Sequence, residues 1–384
     1  MTKEQNKKAP NLRFKGFTND WEQRKLYEVA DYRNGKAHEQ HIYIHGNYIV
    51  VNSKFVSTSG KAKKYSDKLI EPLMKNEIAF VLSDVPNGKA LARTFLVKRS
   101  QKYTLNQRVA GITPHPNMNS YFLFILMNRN PYFLKFDDGV GQTNLSKKDV
   151  EQFNENYPTK REQQKIGEIF VKLDSLLTLQ QRKLNLLEQL KKGLLQKIFT
   201  KENTFYPTLR FQNFNLDWKQ YKLNDLVKID TGKLDANAMV SNGKYDFYTS
   251  GIKKYKINNY AFKGPAITIA GNGATVGYMH YADNKFNAYQ RTYVLTDLKA
   301  DRRFLFNSIQ LILPHKIYQE SRTGNIPYIV LSMLTDLLIM VPSNKEQTFI
   351  GNLAGTISDI YNKQLKKLNL TNQLKKSLLQ QMFI

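Results

Sequence analysis

The stretch LRFKGFTNDWEQRKL at residues 12–26 returns as LRFQNFNLDWKQYKL at residues 209–223. The chain has two tryptophans, Trp21 and Trp218, and they lie 197 residues apart inside this repeat. Leu12-Arg13-Phe14 matches Leu209-Arg210-Phe211, Phe17 matches Phe214, and Asp20 matches Asp217. Gln23, Lys25 and Leu26 recur as Gln220, Lys222 and Leu223, and Gly35-Lys36 recurs as Gly232-Lys233. A shared register of this length marks an internal duplication, which decides how everything between is understood.

A second set of matches runs at a shift of 184. Pro158, Glu162-Gln163 and Ile166-Gly167 return as Pro342, Glu346-Gln347 and Ile350-Gly351. Lys183-Leu184-Asn185-Leu186, Gln189-Leu190-Lys191-Lys192 and Leu194-Leu195-Gln196 return as Lys367-Leu368-Asn369-Leu370, Gln373-Leu374-Lys375-Lys376 and Leu378-Leu379-Gln380. The order is globular unit, helix, globular unit, helix: residues 1–158, 159–200, 201–341 (leading segment from 208) and 342–384. The drop in shift makes the second globular unit shorter by 13 residues.

No proline interrupts residues 159–206. Apolar residues fall at Ile166, Phe170, Leu173, Leu177, Leu184, Leu187, Leu190, Leu194 and Ile198, the three–four spacing of a coiled-coil seam. The second copy supplies Ile350, Ala354, Ile357, Tyr361, Leu368, Leu374, Leu378 and Met382. Gln180 and Gln364 are polar in register; they are either buried amides fixing alignment or residues of the wet flank. About 40 helical residues span roughly 60 Å, so two such helices can pair with each other. Phe170 and Leu187 have Ala354 and Thr371 as counterparts, a weaker seam in the second helix.

Charge indicates the kind of partner. Fifty-eight Lys and Arg against 32 Asp and Glu leave a net +26, spread along the chain, which favours a polyanion such as nucleic acid. There are no cysteines, so disulfides and thiolate chemistry are excluded. The longest apolar runs, 121–127 and 329–341, are too short to span a bilayer, and the polar start has no signal-peptide pattern. The expectation is a cytoplasmic protein.

Short β-like runs at 48–51, 78–82, 95–97, 266–270 and 292–295 mix with helical stretches at 121–127 and 304–313, which predicts mixed α/β (α+β) units. Lys54, Lys61, Lys63, Lys64, Lys89 and Arg93 are the candidate DNA contacts of the first unit. Lys253, Lys254, Lys256, Asn272 and Arg322 are those of the second. Lysine suits phosphate, while Arg, Asn and Gln can distinguish bases. Gln107-Arg108 and Gln290-Arg291 recur in equivalent settings. They are either base readers or a structural pair at a strand start, and the structural role is favoured because two readers of different sequences should differ.

Taken together, the chain resembles the specificity subunits of type I restriction–modification enzymes over nearly its whole length. The resemblance rests on the Phe-x-x-Asp-Trp motifs at 17–21 and 214–218, followed by the Gly-Lys pairs. It continues in the Pro…Glu-Gln…Ile motifs at 158–166 and 342–350, and in Leu-Leu-Gln-x-x-Phe at 194–199 and 378–383. It implies two tandem target-recognition domains, each reading one half of a bipartite asymmetric double-stranded DNA target. The helices would form an antiparallel coiled coil, paired through Ile166, Phe170, Leu173, Leu177, Leu184, Leu187, Leu194, Ile357, Leu368, Leu374 and Leu378. That coil would space the two domains and dock two methyltransferase subunits, with restriction subunits joining through the complex. The chain itself would be non-catalytic and hold no cofactor or metal; S-adenosylmethionine, ATP and magnesium would belong to the partners.

Two alternatives remain at this stage. A self-contained methyltransferase would need Asn130-Pro131-Tyr132-Phe133 and the glycine turn GNGATVG at 271–277 as its site, though both depart from the required patterns. A coiled-coil assembly protein would use its basic units only for solubility. Six histidines form no His-Glu-x-x-His motif. The Ile-Tyr-Ile alternation around His41 and His45 predicts a strand with both rings on one face.

Overall fold

The computed structural model describes residues 9–200, 204–320 and 327–383. Internal packing divides the chain into two compact units, Met1–Leu179 with Leu368–Ile384, and Gln180–Lys367. Each unit therefore holds one globular portion and parts of both long helices.

The first unit opens with β1 (Glu22–Lys25), β2 (Ala30–Asn34), β3 (Tyr48–Val51), α1 (Ser53–Ser57), β4 (Tyr65–Ser66), β5 (Ile78–Val81) and β6 (Ser83–Asp84). It continues with β7 (Thr94–Leu96), β8 (Tyr103–Leu105), β9 (Val109–Pro114), α2 (Ser120–Met127), α3 (Pro131–Leu134), β10 (Thr143–Asn144), α4 (Lys147–Glu151) and β11 (Asn154–Tyr157), which leads into α5 (Lys160–Ile198). A four-stranded antiparallel sheet runs β2-β9-β5-β7. Its β5, Ile-Ala-Phe-Val, is buried at every position, so period-two alternation is absent there. A smaller sheet, β4-β3-β8, pairs β3 with β8 in parallel.

The second unit repeats this plan with β12 (Lys219–Lys222), α6 (Leu223–Leu226), β13 (Lys228–Thr231), β14 (Tyr245–Tyr248), β15 (Tyr255–Ile257), β16 (Phe262–Lys263) and β17 (Ala266–Ala270). It then adds β18 (Met279–Ala282), β19 (Lys285–Ala288), β20 (Thr292–Thr296), α7 (Arg302–Glu320), α8 (Leu331–Thr335), β21 (Leu338–Val341) and α9 (Asn344–Met382). Its main sheet, β13-β20-β17-β18, has the same order of equivalent strands as the first. Its second sheet, β15-β14-β19-β16, again holds one parallel pair, β14 with β19. The topology is thus duplicated even where the sequences share nothing.

The repeated residues build the frame. Trp21 sits edge-on to Phe122 at 6.0 Å, and Phe383 from the end of α9 stacks on Phe122 at 5.3 Å. In the second unit Trp218 meets Phe304 at 5.7 Å, and Phe199 from the end of α5 meets it at 5.4 Å. Arg13 donates from Nε and Nη2 to Glu162 at 2.9 and 2.8 Å, and Arg210 does the same to Glu346. The Gln163 amide donates to Pro158 O while its Oε1 accepts from Asn119 N; Gln347 bridges Pro342 O and Asp301 N identically. These pairs satisfy donors and acceptors that burial would otherwise orphan.

Within the first unit, the start of α5 packs against the end of α9 in antiparallel sense, with Phe170 beside Phe383 and Asp174 paired to Lys375. Within the second, Leu195 and Ile198 share a core with Ile350 and Ala354. The side turned inward at the end of α9 carries Gln364, Leu368, Thr371, Lys375, Leu378 and Met382, a strict three–four spacing. Leu374, expected in the seam, is 52% exposed, and so is its counterpart Leu190, at 58%. The correct seam positions are one residue later, Lys375 and Lys191, because the heptad period overrides residue hydrophobicity. Gln364 is buried and Gln180 half-buried, which places both in the seam.

One smaller expectation changes, and two motifs prove to be local turns and caps. Residues 42–45 form no strand: they follow a 3-10 turn, and Ile44 is 85% exposed, since no core faces that segment. Asn130 caps α3, its Oδ1 accepting from Tyr132 N and its Nδ2 donating to Glu155. Residues 271–277 are the connection between β17 and β18.

Candidate nucleic-acid interface

The Gly-Lys pairs explain themselves by close approach. Gly35 follows β2, and a Cβ there would collide with the backbone carbonyl of Asn106; at Gly232, after β13, it would collide with that of Ala288. Only glycine lets the two backbones touch. The contact places a loop against the turn that carries Gln107-Arg108 in one unit and Gln290-Arg291 in the other. Lys36 bridges Asn106 and Leu234 bridges Tyr289, both in parallel sense.

Each glutamine is then held by an acid on that loop. Gln107 Nε2 donates to Glu39 Oε1 at 3.0 Å, and Gln290 Nε2 donates to Asp235 Oδ1 at 2.8 Å. The neighbouring Arg108 and Arg291 are exposed, and neither side chain has a hydrogen-bond or ion-pair partner among the described residues. The amide positions the turn and leaves the guanidinium free. In the first unit His38 pins the same loop: its Nδ1 lies 2.6 Å from Lys36 O and its Nε2 2.7 Å from Thr104 Oγ1. Burial pushes the pKa of this ring down. Sequence reasoning missed Glu39, Asp235 and His38 as supports, because their partners lie 55 to 68 residues away.

The lysines sit on connections of the smaller sheet. Lys54 is on α1, and Lys61, Lys63 and Lys64 follow it before β4; all four are exposed. The corresponding connection in the second unit, between β14 and β15, is shorter and carries Lys253 and Lys254, also exposed. Their ammonium groups lie over Tyr255 at 5.4 Å and Tyr248 at 5.2 Å. Lys89 is exposed on the connection before β7.

Other candidates are engaged elsewhere. Lys256 pairs with Asp246 at 2.8 Å, Arg93 donates to Lys89 O, and Asn272 accepts from Ser250 Oγ at 2.7 Å. Arg322 lies outside the described residues.

These two frames with their basic edges have a counterpart among known proteins. The profile of the family described as "Type I restriction modification DNA specificity domain" matches residues 18–189 and 215–376, nearly all of both repeats. The chain belongs to this family. It is a specificity subunit with two such domains, a non-catalytic component of a type I restriction–modification system.

The chain is similar to the EcoDI specificity subunit of Escherichia coli, with 39% identity over 142 residues, 37% of this chain and 31% of that one. It is also similar to the MjaVIII specificity subunit of Methanocaldococcus jannaschii, with 24% identity over 404 residues, 94% of this chain and 91% of that one. The chain thus spans about a third of the first relative and nearly all of the second. In fold, the specificity subunit resembles the crystal structure of a type I S subunit from M. genitalium. The TM-score is 0.74 with 16% identity, covering 98% of this chain and 99% of that one. A chain from a structure concerned with complex assembly and conformational transition of the type I system aligns at TM-score 0.52 and 14% identity, over 94% and 97%. No described helix of the specificity subunit is long and apolar enough to cross a membrane.

Proposed function

We propose that each globular unit reads one half of a bipartite, asymmetric double-stranded DNA sequence, and that the paired helices set the unread gap and dock two copies of a methyltransferase subunit. The restriction subunit would join through that complex. One observation carries the reading: the tryptophan pockets, Arg–Glu pairs and glutamine clamps of the frame are duplicated, whereas the exposed basic connections of the smaller sheets differ in length and sequence. One scaffold bearing two unlike surfaces suits two unlike half-sites. The shared Arg108 and Arg291 then suit something the half-sites have in common, such as the phosphate backbone.

Docking of two identical partners is supported by exposed apolar residues in matching register. The first unit presents Leu176, Leu370 and Leu374; the second presents their equivalents Ile360, Leu186 and Leu190. Apolar residues repeated outward on helices mark a protein-binding edge rather than a core.

The deciding experiment is co-expression with the methyltransferase subunit, followed by sequencing of host DNA for modified bases. Methylation at two short blocks around a fixed gap is expected. Exchange of residues 1–158 for those of a relative should change one block only. Change in both blocks, or no methylation from an intact complex, would sink the two-reader assignment and favour a pure assembly role.

A gentler perturbation tests the lysines. Joint replacement of Lys61, Lys63 and Lys64 by alanine should lower the salt slope of DNA binding by about 2–3, near 0.9 per phosphate contact. The preferred sequence should stay the same. An unchanged slope would remove these residues from the interface.

A further inference from the structure

The two units differ at one half-buried cluster of their frames in a way that the duplication makes conspicuous. In the first unit the seam residue Lys375 pairs with Asp174, whose other carboxylate oxygen accepts from Tyr121 OH. In the second unit the register keeps the lysine and replaces the other two residues. Lys375 corresponds to Lys191 and Asp174 to Ser358, at the common shift of 184. Tyr121 corresponds to Arg303, because each lies two residues after the helix cap, Asn119 or Asp301, clamped by Gln163 or Gln347.

The exchange therefore removes a carboxylate and adds a guanidinium. A neutral trio of Tyr, Asp and Lys becomes a trio of Arg, Ser and Lys with two positive charges. Room appears at the same place: Val171 of the first unit is matched by Gly355, whose Cα faces the Arg303 guanidinium. The result is an open cavity of about 880 Å³ lined by Lys191, Arg303, Gly355 and Ser358, with Arg302 and Lys254 also on its wall. Acids are accounted for. Asp283 pairs with Arg302 at 2.6 Å, and Asp359 is exposed on the cavity's edge. Arg303 Nη1 donates to Asn352 at 3.1 Å and meets no carboxylate among the described residues. Lys191 is half-buried without an ion-pair partner among them, and desolvation pushes its pKa down. A half-buried ammonium in that position is costly unless an anion joins it.

We propose that this cavity binds a phosphate-class oxyanion between Lys191 and Arg303, beside Ser358, in the place that the Asp174 carboxylate fills in the first unit. The site is independent of how either unit reads DNA. Its oxyanion comes either from free phosphate or from a DNA backbone phosphate, and the same chemistry recognises both.

The test uses the full chain and inorganic phosphate, titrated at constant ionic strength and followed by calorimetry and by the unfolding temperature. One phosphate should bind, raising Tm by about 3 °C at saturating concentration. Ser358→Asp, which restores the carboxylate of the first unit, should lose that response and reach a comparable Tm without phosphate. Asp174→Ser combined with Tyr121→Arg and Val171→Gly, the full reverse exchange, should create a second phosphate-dependent site, so the inference survives a variant that fails to fold. Salt dependence of duplex binding separates the sources. A slope lower by roughly 0.9 in Ser358→Asp assigns the site to a DNA phosphate, and an unchanged slope beside intact phosphate binding by the parent chain assigns it to free phosphate. Phosphate binding that Ser358→Asp leaves as tight as in the parent, or no phosphate binding together with an unchanged slope, would overturn the site.

Discussion

Replacing Leu186 and Leu190 together by glutamate is expected to remove one methyltransferase from the complex while leaving the free chain folded. Both side chains are more than half exposed on α5, so their loss touches no core, and stability should change by no more than about 0.5 kcal/mol. Burying two leucines against a partner is worth roughly 1.5–3 kcal/mol each, and two carboxylates in the same contact would add a desolvation cost. A weakening of at least about 100-fold follows. The equivalent pair, Leu370 and Leu374, lies in the other unit and should remove the other copy. Native mass spectrometry of the co-expressed complex reads the result directly: one copy lost with either pair, both lost with all four. Retention of two copies by the fourfold variant would show that docking uses another surface.

Arg13→Ala should be the most damaging single change in the frame. The Glu162 side chain is only 1% exposed and takes both of its charged hydrogen bonds from Arg13. Removing the guanidinium leaves a carboxylate buried and unpaired, a loss of about 3–5 kcal/mol. Exchanging both partners for methionine should recover most of it, since the pair's own attraction roughly balances its desolvation. Urea denaturation of the parent and the two variants decides the matter. A loss below about 1 kcal/mol for Arg13→Ala would mean that solvent reaches Glu162 despite its burial. Arg210 and Glu346 offer the same comparison in the second unit.

The duplication was legible because its anchors are rare residues in contact with one another. Trp21, Arg13, Glu162 and Gln163 each satisfy a burial requirement that few substitutions meet, and the same is true of Trp218, Arg210, Glu346 and Gln347. Strands β3, β5, β17 and β20 were visible as short apolar runs, and α5 and α9 as long proline-free periods. Register within the helices was less visible. Leu190 and Leu374 look like seam residues by type, whereas the spacing that satisfies both helices selects Lys191 and Lys375, and a lysine in a seam is understood only once its partner is seen. The candidate interface was legible in charge alone. Which cations are free depends on acids far away in sequence: Asp246 takes Lys256, while Glu39 and Asp235 hold the glutamines beside the free arginines. Parallel pairing of β3 with β8, across more than fifty residues, leaves no local pattern.

The lysine-bearing connections of the smaller sheets supply no residue of the tryptophan pockets or the glutamine clamps. Alteration of such a segment is nearly invisible to folding, since exposed substitutions shift stability by only a few tenths of a kcal/mol, and loop length adds little more. On the proposed reading of these connections, new recognition sequences can therefore arise by drift and recombination in them without passing through an unfolded ancestor. A lineage carrying this scaffold can vary the sites it marks while its fold stays under unrelated selection.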